Sequence, residues 1–373
     1  MLVAVLVLAT LGLVMLASTS GVKAQEDHNN PYHYLQRQSL WLIIALFCGY
    51  LCARVIDYHL FESLLIPLVI GTTLLLLMLF IPGIGSTVKG STRWLKLGPA
   101  SFQPSELAKL SAVVWVAWWM SRHQRQVSSF KKGFLIPIAF PMMLAALILI
   151  EPDFGTAMLI AAVVIILVFL GGAQISYLSV VSVLGIGGIA LAVMENDVRR
   201  RRIMAFLNPD AYAKEEAFQL IQAKYAFISG GELGRGLGES LQKRFYLPEA
   251  HTDFIFAIIG EELGMIATVG VLLLYFLIFA CGLYIGYKAG DLFGKLLGLG
   301  ITLLISLQAC ANIGVVTGCL PTKGIALPLI SFGGSSLVMT FAMIGILINI
   351  ATQAGEHEEN ENKGFIKNKT HWV

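Results

Sequence analysis

The chain has 373 residues, 57% of them hydrophobic and 13% charged, with a mean hydropathy of +0.76. A soluble protein carries about 25% charged residues, so no soluble domain of any size fits this composition, and chemistry is confined to loops and membrane boundaries. A net charge of +3 is too small to imply nucleic-acid binding. Cys48, Cys52, Cys281 and Cys310 lie in apolar runs and Cys319 in a short loop, which matches neither a disulfide framework nor a metal site.

A bilayer core about 30 Å thick needs about 20 apolar residues per helix. Such runs predict spans at 2–18, 39–56, 62–82, 104–121, 134–151, 154–171, 177–194, 254–287, 296–316 and 331–352. The first lacks a basic leading region and a small-residue cleavage site, so it reads as a retained helix rather than a signal peptide. Loop 121–133 carries Arg122, Arg125, Lys131 and Lys132 with no acid, which places it in the cytoplasm. Counting spans then puts both termini inside and segment 195–253 outside. Arg199 to Arg202 fall in that long external loop, where the positive-inside rule loses force. The expected fold is an all-α integral membrane protein of about ten transmembrane helices, with one large extracytoplasmic loop between spans seven and eight. Residues 1–354 form the membrane domain, and the mixed-charge polar tail 355–373 is expected to lack order. The long loop holds Phe206, Tyr212, Phe218, Leu220, Tyr225 and Phe227, which suits helices lying along the membrane surface.

Ionisable groups at membrane depth cost roughly 2.5–3.5 kcal/mol each and default to functional hypotheses. In 86–110, Lys89, Arg93 and Lys96 precede Gln103-Pro104, and Glu106 and Lys109 follow on one helix face. The group suits an anion site at a helix N-terminus, or else a plain ion pair beneath snorkelling cations. In Glu151-Pro152-Asp153-Phe154-Gly155-Thr156, Asp153 either caps the next helix or supports a nearby site. In 243–254, Lys243 and Arg244 lead to His251 and then to Asp253, where the long loop meets the membrane. Asp253 suits a general base, or again a cap, with Glu261 and Glu262 two turns deeper. Segment 321–336 combines Pro321, Lys323, Gly324, Pro328, Ser331, Gly333, Gly334 and Ser335. Such non-helical backbone survives at membrane depth only inside protein or against a cavity. Gly234-Arg235-Gly236-Leu237-Gly238 mimics a phosphate loop but follows no strand, so it is discounted.

Together these segments closely resemble the SEDS family of polytopic membrane glycosyltransferases. The resemblance rests on KGSTRWLKLGPASFQPSELAKL at 89–110, EPDFGTA at 151–157, LPEAHTDFIFAIIGEELG at 247–264 and LPTKGIALPLISFGGSSL at 320–337. It covers the chain from Leu2 to about Thr352. Ile259 to Gly264 and Leu320 to Gly324 look like the family's cell-division branch, whose sporulation relative shares these features, rather than its elongation branch.

The resemblance implies a peptidoglycan glycosyltransferase polymerising lipid II into β-1,4-linked glycan on the outer face of a bacterial inner membrane, at the division septum. It makes Asp253 the catalytic residue. Lys89, Arg93, Lys96, Lys243 and Arg244 would neutralise the pyrophosphates. Gln103, Glu106, Lys109, Asp153, His251, Lys323, Ser331 and Ser335 would complete the substrate site. No cofactor is required, although a divalent cation (Mg or Mn) could share the charge; no ligand cluster in the sequence marks one. The implied partners are lipid II, a class B penicillin-binding protein with one transmembrane helix, other divisome membrane proteins and membrane lipids. Alternatives are a lipid II flippase, an elongation polymerase or a non-catalytic scaffold. A flippase needs polar steps through both leaflets, whereas these motifs cluster on the external side.

Overall fold

The computed structural model describes residues 1–88, 91–98, 100–243 and 247–369. It is mostly helical: α1 (Leu2–His28), α2 (His33–Arg54), α3 (Leu60–Ser63), α4 (Leu65–Met78), α5 (Pro104–Arg122), α6 (Ile136–Ile150), α7 (Phe154–Leu170), α8 (Ile175–Met194), α9 (Asp197–Leu207), α10 (Phe218–Gly230), α11 (Ile255–Lys288), α12 (Leu292–Val316) and α13 (Gly334–Lys369). By length and composition, 6 stretches among the described residues could cross a membrane: Leu2–Gly21, His33–Arg54, Phe130–Ile150, Ile255–Lys288, Leu292–Val316 and Gly334–Glu356. Helices α4 and α7 are apolar but shorter.

A small sheet accompanies the helices. The chain is not purely helical, because β1 (Gly85–Val88), β2 (Ser91–Leu97) and β3 (Ala100–Phe102) form an antiparallel sheet before α5. Gly85 pairs with Leu95, and Leu95 with Phe102. Thr92 and Trp94 favour strand, and a segment lying near apolar surroundings must pair its own backbone polar groups. The tail from 355 onward, expected to lack order, continues helix α13 to Lys369.

The chain divides into two compact units. The second comprises Ile44–Gln174, Phe279–Leu304 and Val338–Val373. In it α4, α5, α6 and α7 pack together. Buried Thr72 and Ser111 share a 2.7 Å hydrogen bond between α4 and α5, and Gly300 of α12 lies against Val113 and Leu167. At one end of this unit, Tyr58 O–H donates to Asp291, Tyr58 N–H donates to Asn349 at 3.0 Å, and Arg122 pairs with Glu62 at 3.0 Å.

The first unit comprises Met1–Ile43, Ile175–Ile278 and Ile305–Leu337. Its central feature is a break in α11 at Gly264, where φ is 78 and ψ is −175, a conformation essentially confined to glycine. Interrupting a helix strands backbone groups that a membrane protein must satisfy internally. Segment 229–243 meets that need. Arg235 N–H donates to the Glu261 carbonyl at 2.9 Å and Gly236 N–H to that of Glu262 at 3.0 Å. Met265 N–H donates to Gly231 at 2.9 Å and Ile266 N–H to Glu232 at 3.3 Å. The glycine run that mimics a phosphate loop is thus a backbone plug. A Cβ on Gly230 would lie 2.0 Å from the Gly260 carbonyl, and one on Gly234 2.2 Å from that of Glu262.

Candidate active site

Asp253 lies just before the half-helix that runs from Ile255 to the break at Gly264. Opposite it stands the irregular segment from Pro321 to Gly333, and a set of buried hydrogen bonds stitches the two together. Ser331 O–H donates to the Thr252 carbonyl at 2.6 Å and accepts from Leu327 N–H at 2.8 Å. Phe332 N–H donates to the His251 carbonyl at 3.2 Å. The Asn312 side-chain amide of α12 donates to the carbonyls of Asp253, at 2.7 Å, and Ile325, at 2.6 Å. Gln308, one turn earlier, donates to Ala326 at 3.0 Å, and Tyr275 O–H donates to Pro328. From α2, Gln38 accepts from Gly333 N–H at 3.2 Å and donates to Ser331 at 3.4 Å. Gln38, Gln308, Asn312 and Ser331 are buried, and each is given a partner, as a low-dielectric setting demands.

The predicted residues Asp253, His251, Lys323 and Ser331 therefore belong to one assembled corner. The His251 ring packs near Tyr34, with centroids 5.4 Å apart, and Phe332, at 6.2 Å. Ser335 is buried in the first turn of α13, and its hydroxyl has no partner among the described residues. Asn312, Gln308, Gln38 and Tyr34 escape a search for ionisable groups. For Gln308 and Asn312 the signal is neutral polar residues inside an apolar span, four apart and hence on one helix face; Gln38 and Tyr34 precede the second predicted span.

Glu261 and Glu262, 0% and 1% exposed, serve the plug rather than Asp253. Glu261 accepts from Ser229 O–H at 3.1 Å, Leu241 N–H at 3.1 Å, Gln242 N–H at 3.3 Å and Ser240 O–H. Glu262 pairs with Lys243 at 2.8 Å and accepts from Ser18 O–H of α1 at 2.7 Å. Lys243, placed among the pyrophosphate cations by resemblance, is thus held in a buried ion pair. Lys89 and Arg244 lie outside the described residues.

The second unit holds the other predicted polar residues. Arg93 of β2 donates to the Glu151 carbonyl at 3.4 Å and to that of Pro152, and stands 3.9 Å from the Asp153 carboxylate. Asp153 caps α7, accepting from Thr156 N–H at 3.2 Å and O–H at 2.9 Å. Burial, reinforced by Asp153 and opposed by Arg93, pushes the Glu151 carboxyl in this turn up to about 8. Glu106 and Lys109 form a buried pair at 2.8 Å. Gln103 occupies the N-cap position of α5 without a side-chain cap bond, and Lys96 is exposed.

For a divalent ion, the nearest described carboxylate in sequence to Asp253 is that of Glu249, which accepts from Thr252 O–H at 2.8 Å. Among the described residues, the carbonyls of Asp253, Thr252 and His251 are already bonded to Asn312, Ser331 and Phe332. This is not a ready ligand set. Among the described residues, the cluster with metal-ligand spacing is His59, Glu62 and Asp291, in the second unit.

Residues 1–356 match the family model for the FtsW, RodA and SpoVE cell cycle proteins. The chain belongs to this family. A probable peptidoglycan glycosyltransferase FtsW from Geobacter sp. (strain M18) is 40% identical over 352 residues, spanning 93% of this chain and 94% of that protein. Its namesake from Legionella pneumophila is 40% identical over 350 residues, spanning 93% and 89%. Among solved structures, a chain from a study of polymerisation and crosslinking by a peptidoglycan synthase complex superposes with a TM-score of 0.72 at 26% identity, covering 95% of this chain and 97% of that one. The Thermus thermophilus rod shape-determining protein RodA, in an aspartate-to-alanine variant, superposes with a TM-score of 0.70 at 26% identity, covering 95% and 96%. The chain is a multi-pass membrane protein of the same family and fold.

Proposed function

We propose that this chain is the division-type peptidoglycan glycosyltransferase of its bacterium, polymerising lipid II on the outer face of the inner membrane, with Asp253 as general base. Relatives named for that activity share about two residues in five with nearly its whole length. The observation that supports the site reading is the stitching of 251–254 to 321–333 by hydrogen bonds on either side of Asp253.

In the proposed reaction the 4-hydroxyl of an acceptor lipid II attacks the anomeric carbon of the growing strand. Asp253 accepts the hydroxyl proton as the new C–O bond forms, and the bond to undecaprenyl pyrophosphate breaks. Displacement inverts the anomeric centre, so an α-linked donor becomes a β-linked product. Pyrophosphate needs charge neutralisation more than a proton, and Lys323, beside Gly324, is the proposed cation of this corner. His251, Ser331 and Ser335 are proposed to shape the sugar site. In the second unit Arg93, Lys96, Gln103, Glu106, Lys109 and Asp153 are proposed lipid II contacts, and Arg93 and Asp153 also fix the turn at 151–153. Lys243 is proposed to act through the plug it anchors. No step is routed through a metal ion.

The spans of this reading are α1, α2, α4, α5, α6, α7, α8, α11, α12 and α13. That the predicted cytoplasmic loops lie on one side is supported by Tyr58, Arg122 and Asp291, which come from three of them, and by Glu62 at the start of the third predicted span, all at one end of the second unit. The partner is proposed to be a crosslinking transpeptidase of the class B type, since a structural neighbour belongs to a complex that coordinates polymerisation with crosslinking.

The test is to purify the chain with its cognate transpeptidase, add fluorescent lipid II and separate the products by size. Polymer from the native complex, absent with a well-folded Asp253→Ala, is expected. Lipid II translocation across reconstituted vesicles without polymer would instead support a flippase.

A further inference from the structure

We propose that Asn312 is a positioning residue for the reaction, holding Asp253 in place through its main chain while the backbone of Gly324 walls the carboxylate on its other side. The proposal rests on the reading of Asp253 as general base and extends it to a residue of another helix.

Asn312 lies in the apolar helix α12 and is 1% exposed, a setting in which an amide is costly unless its hydrogens find acceptors. Its NH2 group has two hydrogens and uses both, one on the Asp253 carbonyl at 2.7 Å and one on the Ile325 carbonyl at 2.6 Å. Two carbonyl acceptors side by side admit only the nitrogen at that position, so the orientation of the amide is fixed by its neighbours. Its Oδ1 points elsewhere and has no partner among the described residues. The bonds run between segments 59 and 13 residues away in sequence. One side chain thereby fastens the approach to the α11 half-helix and the irregular segment after Pro321 to the same rigid helix. Gln308, bonded to Ala326 at 3.0 Å, extends the hold by one residue.

Gly324 completes the arrangement. A Cβ built there would lie 2.9 Å from Asp253 Oδ2, closer than ordinary contact. The φ of Gly324 is outside the left-handed region, so backbone conformation does not demand glycine. A Cβ there would instead displace the Asp253 carboxylate, the group it would meet. Asp253 is held between an amide that grips its carbonyl and a bare backbone that flanks its carboxylate. A general base must sit within hydrogen-bond reach of the proton it takes, and a displacement of 1 Å can cost about 10²-fold in rate.

The experiment compares steady-state polymerisation of fluorescent lipid II by the native complex and by its Asn312→Asp, Asn312→Ala, Gly324→Ala and Asp253→Asn forms, with thermal melting of each. Asn312→Asp keeps the shape of the side chain and replaces both donors with an oxygen facing two carbonyls. Expected is a fall in kcat of roughly 10- to 100-fold for both Asn312 variants and for Gly324→Ala, with KM for lipid II within twofold of the native value. A rise in KM at unchanged kcat would overturn the proposal, because the residue would then bind substrate rather than place the base. Native kcat in Asn312→Asp would overturn it as well. A variant that melts early is set aside for Gly324→Ala, which perturbs the same carboxylate from the other side; native kcat there overturns the proposal. Asp253→Asn keeps the two failures apart. If it polymerises normally, the base assignment itself is wrong, whereas an inactive Asp253→Asn beside fully active Asn312 variants defeats only the positioning role.

Discussion

At the residue scale, Glu151 shows what burial does to a carboxyl in this molecule. It is 4% exposed in the turn after α6, and burial with Asp153 nearby outweighs Arg93 and raises it from 4.5 to about 8. The folded chain therefore binds a proton there that the unfolded chain releases, so this contribution to stability is complete below about pH 4.5 and lost as pH rises through about 8. Glu151→Gln keeps the neutral form at every pH. Its melting temperature is expected to fall less than that of the native chain between pH 5 and pH 8, as thermal scans across that range would reveal. An identical pH slope in the two proteins would contradict the assignment. Asp253 and the 151–153 turn were legible because charged residues stand out in apolar sequence. Asn312 was not, since a neutral amide in an apolar run gives no sign of which carbonyls it will meet.

At the element scale, the break in α11 was hidden in an apolar stretch long enough to read as one uninterrupted span. Gly264 alone does not announce a kink, and the segment that satisfies the broken helix lies in a different part of the chain. Its glycines are visible, but a close approach of two backbones is a tertiary fact. Gly264→Ala is expected to lose roughly 1–3 kcal/mol to backbone strain alone, seen as a lower melting temperature and reduced polymer yield. The plug is also anchored electrostatically, because Lys243 and Glu262 are 7% and 0% exposed at their side chains. Removing one partner of such a buried pair costs roughly 3–5 kcal/mol, while replacing both with apolar residues is far milder. Lys243→Met is therefore expected to be more destabilising than the double variant Lys243→Met with Glu262→Met. Equal or greater loss in the double variant would show that the pair does not act as a unit. The β1–β3 sheet was missed for a related reason, since its pairing depends on turns in a loop too short to show a clear alternation.

At the scale of the whole molecule, hydropathy pointed to a multi-pass helical chain, and 6 helices among the described residues have the length and composition to cross a membrane. Charge in the short loops supplies orientation, which geometry alone does not. In a cysteine-free background, a cysteine at Arg201 is expected to react with an impermeant maleimide added to intact cells. A cysteine at Gln126 is expected to react only after lysis. The reverse pattern would invert the topology and put Asp253 on the wrong side for external lipid II.

The most direct measurement is the polymerisation rate of lipid II by the native complex and by Asp253→Asn, with lipid II binding measured in parallel. Loss of a general base predicts a fall of roughly 10²–10⁴ in kcat with binding retained. Equal polymer from both proteins would contradict the role given to Asp253 and, with it, the function proposed for this corner of the fold.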